Sequence, residues 1–387
     1  MQMAIDVAGF TPAESDRLRQ AMGSKRSVEK MERLKARLYD GMAERGITGG
    51  VADAIWDKLV AFANFGFPES HSVSFAYLVY SSAWMKHHYP AGFCAGLLDG
   101  QPMGFWSPQT IVADARRHGV VVRRPDINAS GARSVLEPCP DSTGGAAVRL
   151  GLSYVRGVGE EVAERIAAGH PYTGMEDVVR RTGITRAQAE ALATAGAFDC
   201  FGLSRRRALW GAGALAAAGA EAGSSRSRVP APRLAGLVTG ADAPPLPGMT
   251  PVEANQADLW ATGLSPDSYP TEFARADLAA AGVVTAAGLV EVPPGARVTV
   301  AGVVTHRQRP ATAQGVTFMN LEDETGLVNV VVSAGAWKRY RRAARSSPAL
   351  VVEGRLERVE TVINVVAERI RPLALTQSGA LRSRDFR

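Results

Sequence analysis

Apolar residues recur at helical spacing on both sides of a glycine-aromatic turn in the first quarter of the chain. Ala52, Ile55, Trp56, Leu59, Val60 and Ala63 precede the turn at Gly66-Phe67-Pro68, and Phe75, Leu78, Val79, Ser82 and Met85 follow it. The pattern predicts paired helices, each with a buried face. Pro68 cannot continue the first but can open the second, so Glu69, Ser70 and His71 fall in the first turn of the second helix. Upstream, Thr11-Pro12-Ala13-Glu14 predicts a capped helix start, and Lys25 to Arg45 a charged, solvated helix. A further helix, glycine hairpin and helix are predicted over Leu150 to Ile166: Gly157 and Gly159 flank Val158, whose side chain can plug the core between the helices. Another helical pair is predicted from Ile184 to Phe198, followed by Arg205-Arg206-Arg207.

The period changes to two near the C-terminus. Val298, Val300, Gly302 and Val304 alternate as in a half-buried strand. Val316 to Leu321 predicts the next strand, and Glu322-Asp323-Glu324-Thr325-Gly326 turns into Leu327 to Val332. A helix follows at Ala336 to Arg345, then strands at Ala349 to Leu356 and Val362 to Val366. Strands, helix and strands in this order form the succession of an OB-fold barrel.

Composition divides what lies between. From Gly211 to Pro251 alanine, glycine, serine and proline dominate, which buries too little apolar surface to order firmly and predicts a flexible linker. The expected organisation is a mostly helical region over 1–130, a helix-hairpin-helix region over 131–210, a linker over 211–251, a helical connector over 252–290, the OB-fold over 291–375 and a tail over 376–387. The fold class is multidomain α+β with a small C-terminal β-barrel. With 387 residues the chain can bury proper cores, and 44 Lys and Arg against 38 Asp and Glu give a modest +6 that suits a nucleic-acid partner without requiring one. Cys94, Cys139 and Cys200 are widely separated and odd in number, giving neither a zinc pattern nor a disulfide framework, so a reducing cytoplasm is expected. His87 and His88 point about 100° apart on a helix and make no chelating pair. No apolar run approaches the roughly 20 residues that span a bilayer, so no membrane association is expected.

Several residues carry candidate chemistry. Unpaired N–H groups at the start of the second helix, beside the Ser70 hydroxyl and His71 imidazole, could hold an anionic phosphate; Ser70 could equally be a simple cap and His71 a surface residue. Gly157 and Gly159 could let backbone N–H groups approach a DNA phosphate, or form a tight turn with no ligand. An OB barrel binds single strands by stacking bases within a basic groove. Its candidates here are Phe318 on the second strand and His306, Arg307 and Arg309 in the first loop, while Phe318 could also be core. The helix after the third strand carries Lys338, Arg339, Arg341, Arg342 and Arg345, with Trp337 and Tyr340 expected to pack inward. Gln256 to Trp260 has the glutamine, leucine and aromatic of a sliding-clamp peptide, although Leu259 and Trp260 look like a packed helical face.

The segment Phe62 to Pro90 resembles the fingers region of bacterial C-family DNA polymerases. The resemblance is carried by Phe65, Gly66, Phe67, Ser70, His71, Trp84, Met85, Lys86, Tyr89 and Pro90. Pro68-Glu69 in place of the asparagine-lysine of replicative members, with Gln101-Pro102-Met103-Gly104-Phe105 and Asp114 to Gly119, is similar to the error-prone, damage-induced branch. The resemblance runs almost end to end and covers the OB segment VTFMNLEDETGLVNVVV. It implies the C-terminal portion of such a polymerase, with Phe65, Ser70 and His71 near an incoming deoxynucleoside triphosphate. Primer-template and single-stranded DNA are then the partners, a sliding clamp or other mutagenesis proteins are further ones, and Mg²⁺ serves the complete enzyme. The paired palm aspartates that would hold two metal ions have no counterpart: Asp126 is alone, and Glu322, Asp323 and Glu324 lie in a strand turn. The chain alone is therefore not expected to extend a primer and to hold no cofactor of its own. A free-standing DNA-binding or scaffold protein using the hairpin and OB surfaces is the alternative.

Overall fold

Thr11 and Glu14 cap each other, the Thr11 N–H donating to the Glu14 carboxylate (2.7 Å) and the Glu14 N–H to the Thr11 hydroxyl (3.2 Å), so the helix predicted there forms. The computed structural model describes residues 2–22, 27–64, 69–221, 243–310 and 313–375, which fold as two compact units. The first comprises Met1–Ala83 with the short segment Arg309–Thr317, and the second Trp84–Gln308 with the residues from Phe318 onward. The predicted turn at Gly66-Phe67-Pro68, with Phe65, lies outside the described residues, as do most of the predicted linker and the tail.

The first unit contains α1 (Gln2–Ala8), α2 (Pro12–Met22), α3 (Ser27–Glu44), α4 (Gly50–Asn64) and the start of α5 (Glu69–His88). Phe10, Leu18, Met31, Leu38, Met42 and Trp56 form its core. The charged α3 is thus not wholly solvated, because Met31, Leu38 and Met42 recur on one face of it. Arg37 on α3 donates to the backbone carbonyls of Ala8 and Gly9 (both 3.2 Å) and to Glu14 (3.1 Å), tying α1 and α2 to α3.

α5 departs from expectation. Its periodic apolar residues predicted a buried face, yet exposure runs from 46% at Trp84 and Met85 to 77% at Tyr77, with Val73, Phe75, Leu78, Val79 and Tyr80 between. Apolar residues are spread around every side of α5, and no surface of the described residues covers them. Among the described residues no helix is long and apolar enough to cross a membrane.

In the second unit, α6 (Pro90–Asp99) and α7 (Pro108–Arg117) pack on a sheet of β1 (Val122–Arg123), β2 (Val135–Pro138) and β3 (Ala146–Arg149), ordered β1-β3-β2. Cys94, Leu98, Ile111, Val112, Val148 and Leu150 fill the space between them. Next come α8 (Glu160–Ala168), α9 (Met175–Thr182), α10 (Arg186–Ala195) and α11 (Arg205–Glu221), around Val158, Ile166, Val178, Leu192 and Phe198. The helix expected before Gly157 is only a 3₁₀ turn, Leu152–Tyr154, because the chain has just left β3 and has no room for a full helix. α11 runs to Glu221, inside the predicted linker, with Ala212 and Leu215 buried: alanine favours helix strongly where it has a core to meet. α12 (Pro251–Thr262) is pinned by its buried Asp258, which accepts from Arg124 (3.2 and 3.3 Å), Arg205 (2.6 Å) and Ser265 (2.9 Å).

After α13 (Arg275–Ala280) and β4 (Val283–Val284) the chain builds a closed barrel from β5 (Arg297–Gln308), β6 (Thr317–Asp323), β7 (Gly326–Val332), α14 (Ala334–Ser346), β8 (Ala349–Val359) and β9 (Val362–Pro372). The sheet runs β4-β5-β6-β7-β9-β8 and closes through antiparallel pairing of β5 with β8, from Arg297↔Arg355 to Val303↔Ala349. The order of strands and helix is the one predicted. Val300, Val304, Met319, Leu321, Val352 and Val365 fill the interior, and Trp337 and Tyr340 pack on it from α14 as expected. Gly302 is required by packing, since a Cβ there would lie 2.6 Å from the Glu322 carbonyl on β6.

Glu322, fully buried on β6, holds the barrel to the helices before it. Its carboxylate accepts from the Thr110 hydroxyl (2.8 Å), both terminal nitrogens of Arg117 (3.1 Å each) and the Tyr269 hydroxyl (3.2 Å). Burial pushes the pKa of this carboxyl above its ordinary value, against the pull of Arg117. Glu322→Ala would leave the half-buried Arg117 guanidinium and the buried Thr110 and Tyr269 hydroxyls without their partner together. It is expected to destabilise the second unit by about 3 kcal/mol or more, read as a fall in the urea midpoint.

Candidate nucleic-acid interface

Strand alternation sorts the residues of β6 and β7 onto opposite faces. Met319, Leu321, Val328 and Val330 point into the barrel, so Phe318, Asn320, Leu327 and Asn329 point out. Phe318 is 39% exposed and is not core. Asn320 donates through Nδ2 to Oδ1 of Asn329 on the neighbouring strand (2.9 Å), making an amide pair on the same outer face. An exposed aromatic beside amide donors and acceptors can stack on a base and hydrogen-bond its edge.

β5 extends to Gln308, so His306 and Arg307 lie on a strand and not in a loop. A bulge between Val304 and His306 shifts the register, and His306 then pairs with Asn320 and Arg307 with Met319. Cross-strand partners share a face, so His306 lies on the outer side of the barrel with Asn320 but is itself buried, at 9% exposure, and Arg307 follows Met319 inward. The Arg307 guanidinium donates to the carbonyls of Ala344 and Ser347 (2.6 Å each), satisfying the end of α14. This corrects the expectation that Arg307 meets DNA. Arg309, just past β5, is exposed.

Two further aromatics stand at this face that sequence reasoning missed. Phe105 and Trp106, each 39% exposed, hold the His306 ring at centroid distances of 5.6 and 5.8 Å. Their only signal is adjacency in an otherwise glycine- and proline-rich loop. A cavity of about 510 Å³ opens beside them, walled by Phe93, Leu97, Met103, Trp106, Ile111 and Leu327. Lys86 and Asp114 pair at its edge (2.7 Å), and burial pushes the Cys94 thiol in its wall up to about 12, leaving it neutral.

The hairpins form a separate surface. Gly157 has φ +75°, Val158 is buried and Gly159 caps α8; a Cβ at either glycine would meet nothing within 4 Å. Gly157 is therefore demanded by its backbone angle, and the space outside both glycines is open, as close phosphate approach requires. Gly183 (φ +64°), buried Ile184 and the N-cap Thr185 repeat the arrangement between α9 and α10. This twin hairpin begins earlier than the pair predicted from Ile184. The Gln188 amide donates to the Gly157 carbonyl (3.0 Å), so the hairpins lie side by side. The cations near them are largely committed: Arg133 to Glu160, Arg180 and Arg181 to Asp177, and Arg186 to Glu190. Arg205 and Arg206 likewise bind Asp258 and Glu253 on α12 and do not form a DNA-facing cluster.

Ser70 and His71 lie in the first turn of α5, both exposed, with the His71 ring against Phe75 (4.5 Å). Gln256 to Trp260 is helical, with Leu259 buried and the half-exposed Trp260 under the Arg156 guanidinium (5.0 Å), not the extended exposed peptide that a clamp would take. Among the described residues no group of three or more His, Cys, Asp and Glu side chains converges to hold a metal. Asp323 and Glu324 are engaged by Thr325, Arg275 and Thr271, so the residues described here do not fit the Mg²⁺ site of a polymerase.

Comparison with known proteins gives these surfaces relatives. The helix-hairpin-helix motif family matches residues 119–208, the OB-fold nucleic acid binding domain 298–373, and the finger domain of the bacterial DNA polymerase III alpha subunit 1–46. The error-prone DNA polymerase of Nocardia farcinica is 59% identical over all of this chain. Those of Mycolicibacterium paratuberculosis and Corynebacterium efficiens are 54% and 50% identical, again over the whole chain. Over its whole length the chain is similar to these error-prone DNA polymerases, and the three matched domains fit the C-terminal portion of a C-family alpha-type subunit. The chain spans about a third of the length of these relatives, 33–34% of each. Phe318 and His306 of the OB-fold, with Phe105 and Trp106 brought against His306 from the loop before α7, thus lie at one face, and Arg307 belongs to the scaffold. Arg307→Met is expected to lower stability by about 1–3 kcal/mol by orphaning the α14 carbonyls, with single-strand affinity nearly unchanged; parallel denaturation and anisotropy titrations check it.

Proposed function

We propose that this chain supplies the template- and nucleotide-facing surfaces of an error-prone DNA polymerase and leaves the metal-binding carboxylates to the rest of the enzyme. The observation that carries the reading is the outer face of β6 and β7, where Phe318 and the Asn320–Asn329 pair sit with His306, Phe105 and Trp106. Single-stranded template stacks there, and the hairpins at Gly157-Val158-Gly159 and Gly183-Ile184-Thr185 hold duplex backbone through N–H groups without reading sequence. Ser70 and His71, with Phe65, contact the incoming deoxynucleoside triphosphate in the assembled enzyme, where α5 presents its N-terminus to phosphate. They bind and position; the chemistry belongs to Mg²⁺ and carboxylates elsewhere in the enzyme. In the complete protein the reaction is template-directed addition of nucleotides, used in translesion synthesis and damage-induced mutagenesis in the cytoplasm.

α5 supports the partial-enzyme reading over a free-standing DNA binder. A helix apolar on all sides belongs inside a larger body, and the relatives are about three times as long as this chain. A free-standing binder would have no use for an exposed row of Phe75, Tyr77, Leu78 and Tyr80.

Base stacking contributes about 1–3 kcal/mol per base, so Phe318→Ala is expected to weaken oligothymidylate binding roughly 5- to 150-fold in fluorescence anisotropy. Unchanged affinity would remove the interface. In the full-length polymerase, His71→Ala is expected to raise the nucleotide KM and leave primer-template affinity intact; steady-state nucleotide kinetics identical to wild type would end that role.

A further inference from the structure

α14 carries five cations, Lys338, Arg339, Arg341, Arg342 and Arg345, and no carboxylate. That is +5 within 13 residues, against +6 for the whole chain. All five side chains are exposed, and none forms an ion pair among the described residues. A solvated helix ordinarily mixes charges, as α3 does where Lys35 pairs with Glu32 (3.7 Å). Across the adjoining groove, Glu353 and Glu368 are engaged by Arg369, Arg371 and Arg297, and so do not neutralise α14. The opposite side of α14, with Trp337, Tyr340 and Ala344, packs on the barrel, and Arg307 fixes its last turn. The cations are thus presented on a rigid support.

The connection to the β6–β7 face is direct. Asn320 lies opposite Asn329 in this hairpin, which places Phe318 near the end of β7, and α14 starts immediately beyond, capped by Ser333. A strand whose base stacks on Phe318 meets the α14 cations next. Lys338 lies just before the non-helical Tyr340 (φ −109°, ψ 18°), where α14 kinks, and Arg341, Arg342 and Arg345 lie after it, so that the four cations line about 10 Å of surface.

We infer that α14 is a second nucleic-acid site, a phosphate track that takes the backbone of single-stranded DNA leaving the β6–β7 face. This rests on the proposed single-strand interface and extends it to a surface that reads charge alone. Arginine and lysine serve equally on such a track, since phosphate neutralisation needs no bidentate fit.

The test uses the full chain with oligothymidylates of about 4 nucleotides, which the β6–β7 face holds, and about 16, which reach α14. Affinity is measured against salt for wild type, for Lys338→Gln/Arg341→Gln/Arg342→Gln, for Arg341→Lys/Arg342→Lys, and for Phe318→Ala. Three lost single-strand phosphate contacts lower the slope of log affinity against log salt by about 2. The triple variant is expected to show that fall with the long oligonucleotide only, and the lysine variant to keep the wild-type slope. An unchanged slope in the triple variant, or an equal fall with both lengths, overturns the track. A larger fall with duplex than with single strand overturns the single-strand assignment. Phe318→Ala silent on both lengths overturns the β6–β7 interface instead, so the two failures are distinguishable.

Discussion

The buried carboxylate of Glu322 is the constraint on which the candidate interface depends. The barrel closes through β5 and β8, and it is tied to α7 where Thr110, Arg117 and Tyr269 converge on that one group beside the apolar contact of Ala113 with Val303 and Ala349. A charge taken out of water is costly unless its partners are complete, so the network tolerates only one docking of barrel on helices. That docking brings Phe105 and Trp106, from the loop before α7, against His306 on β5. The aromatic surface is composed from segments two hundred residues apart in sequence and depends on that docking.

The barrel was legible in the sequence because alternation and turn residues are local. Phe318 was legible as a candidate for the same reason: it sits one position out of step with Met319 and Leu321, which face the core. Arg307 was not, and the cause is the bulge between Val304 and His306. Even-numbered residues of β5 point inward up to Val304; one irregular step reverses the parity, turning His306 out and Arg307 in. A side chain's charge says nothing about such a step. Arg205 and Arg206 are likewise engaged within the fold, by Asp258 and Glu253, which lie across a segment that sequence alone treats as loose.

α5 shows the opposite limit. Its periodicity was read correctly as helix and incorrectly as a buried face, because burial belongs to an assembly and periodicity to a segment. The residues that make it helical also make it apolar all round, and the described chain supplies nothing to cover them.

These surfaces divide the work of holding DNA by physical type. The hairpins offer backbone N–H groups in open space, but the arginines around them are largely spent on Asp177, Glu160 and Glu190, so they fix position more than they add charge attraction. The β6–β7 face offers stacking, which every base satisfies. Only α14 presents dense unpaired charge, and it stands where a strand leaving Phe318 arrives. Stacking and phosphate attraction accept any base, so a preference among bases on these surfaces would come from the Asn320–Asn329 amides.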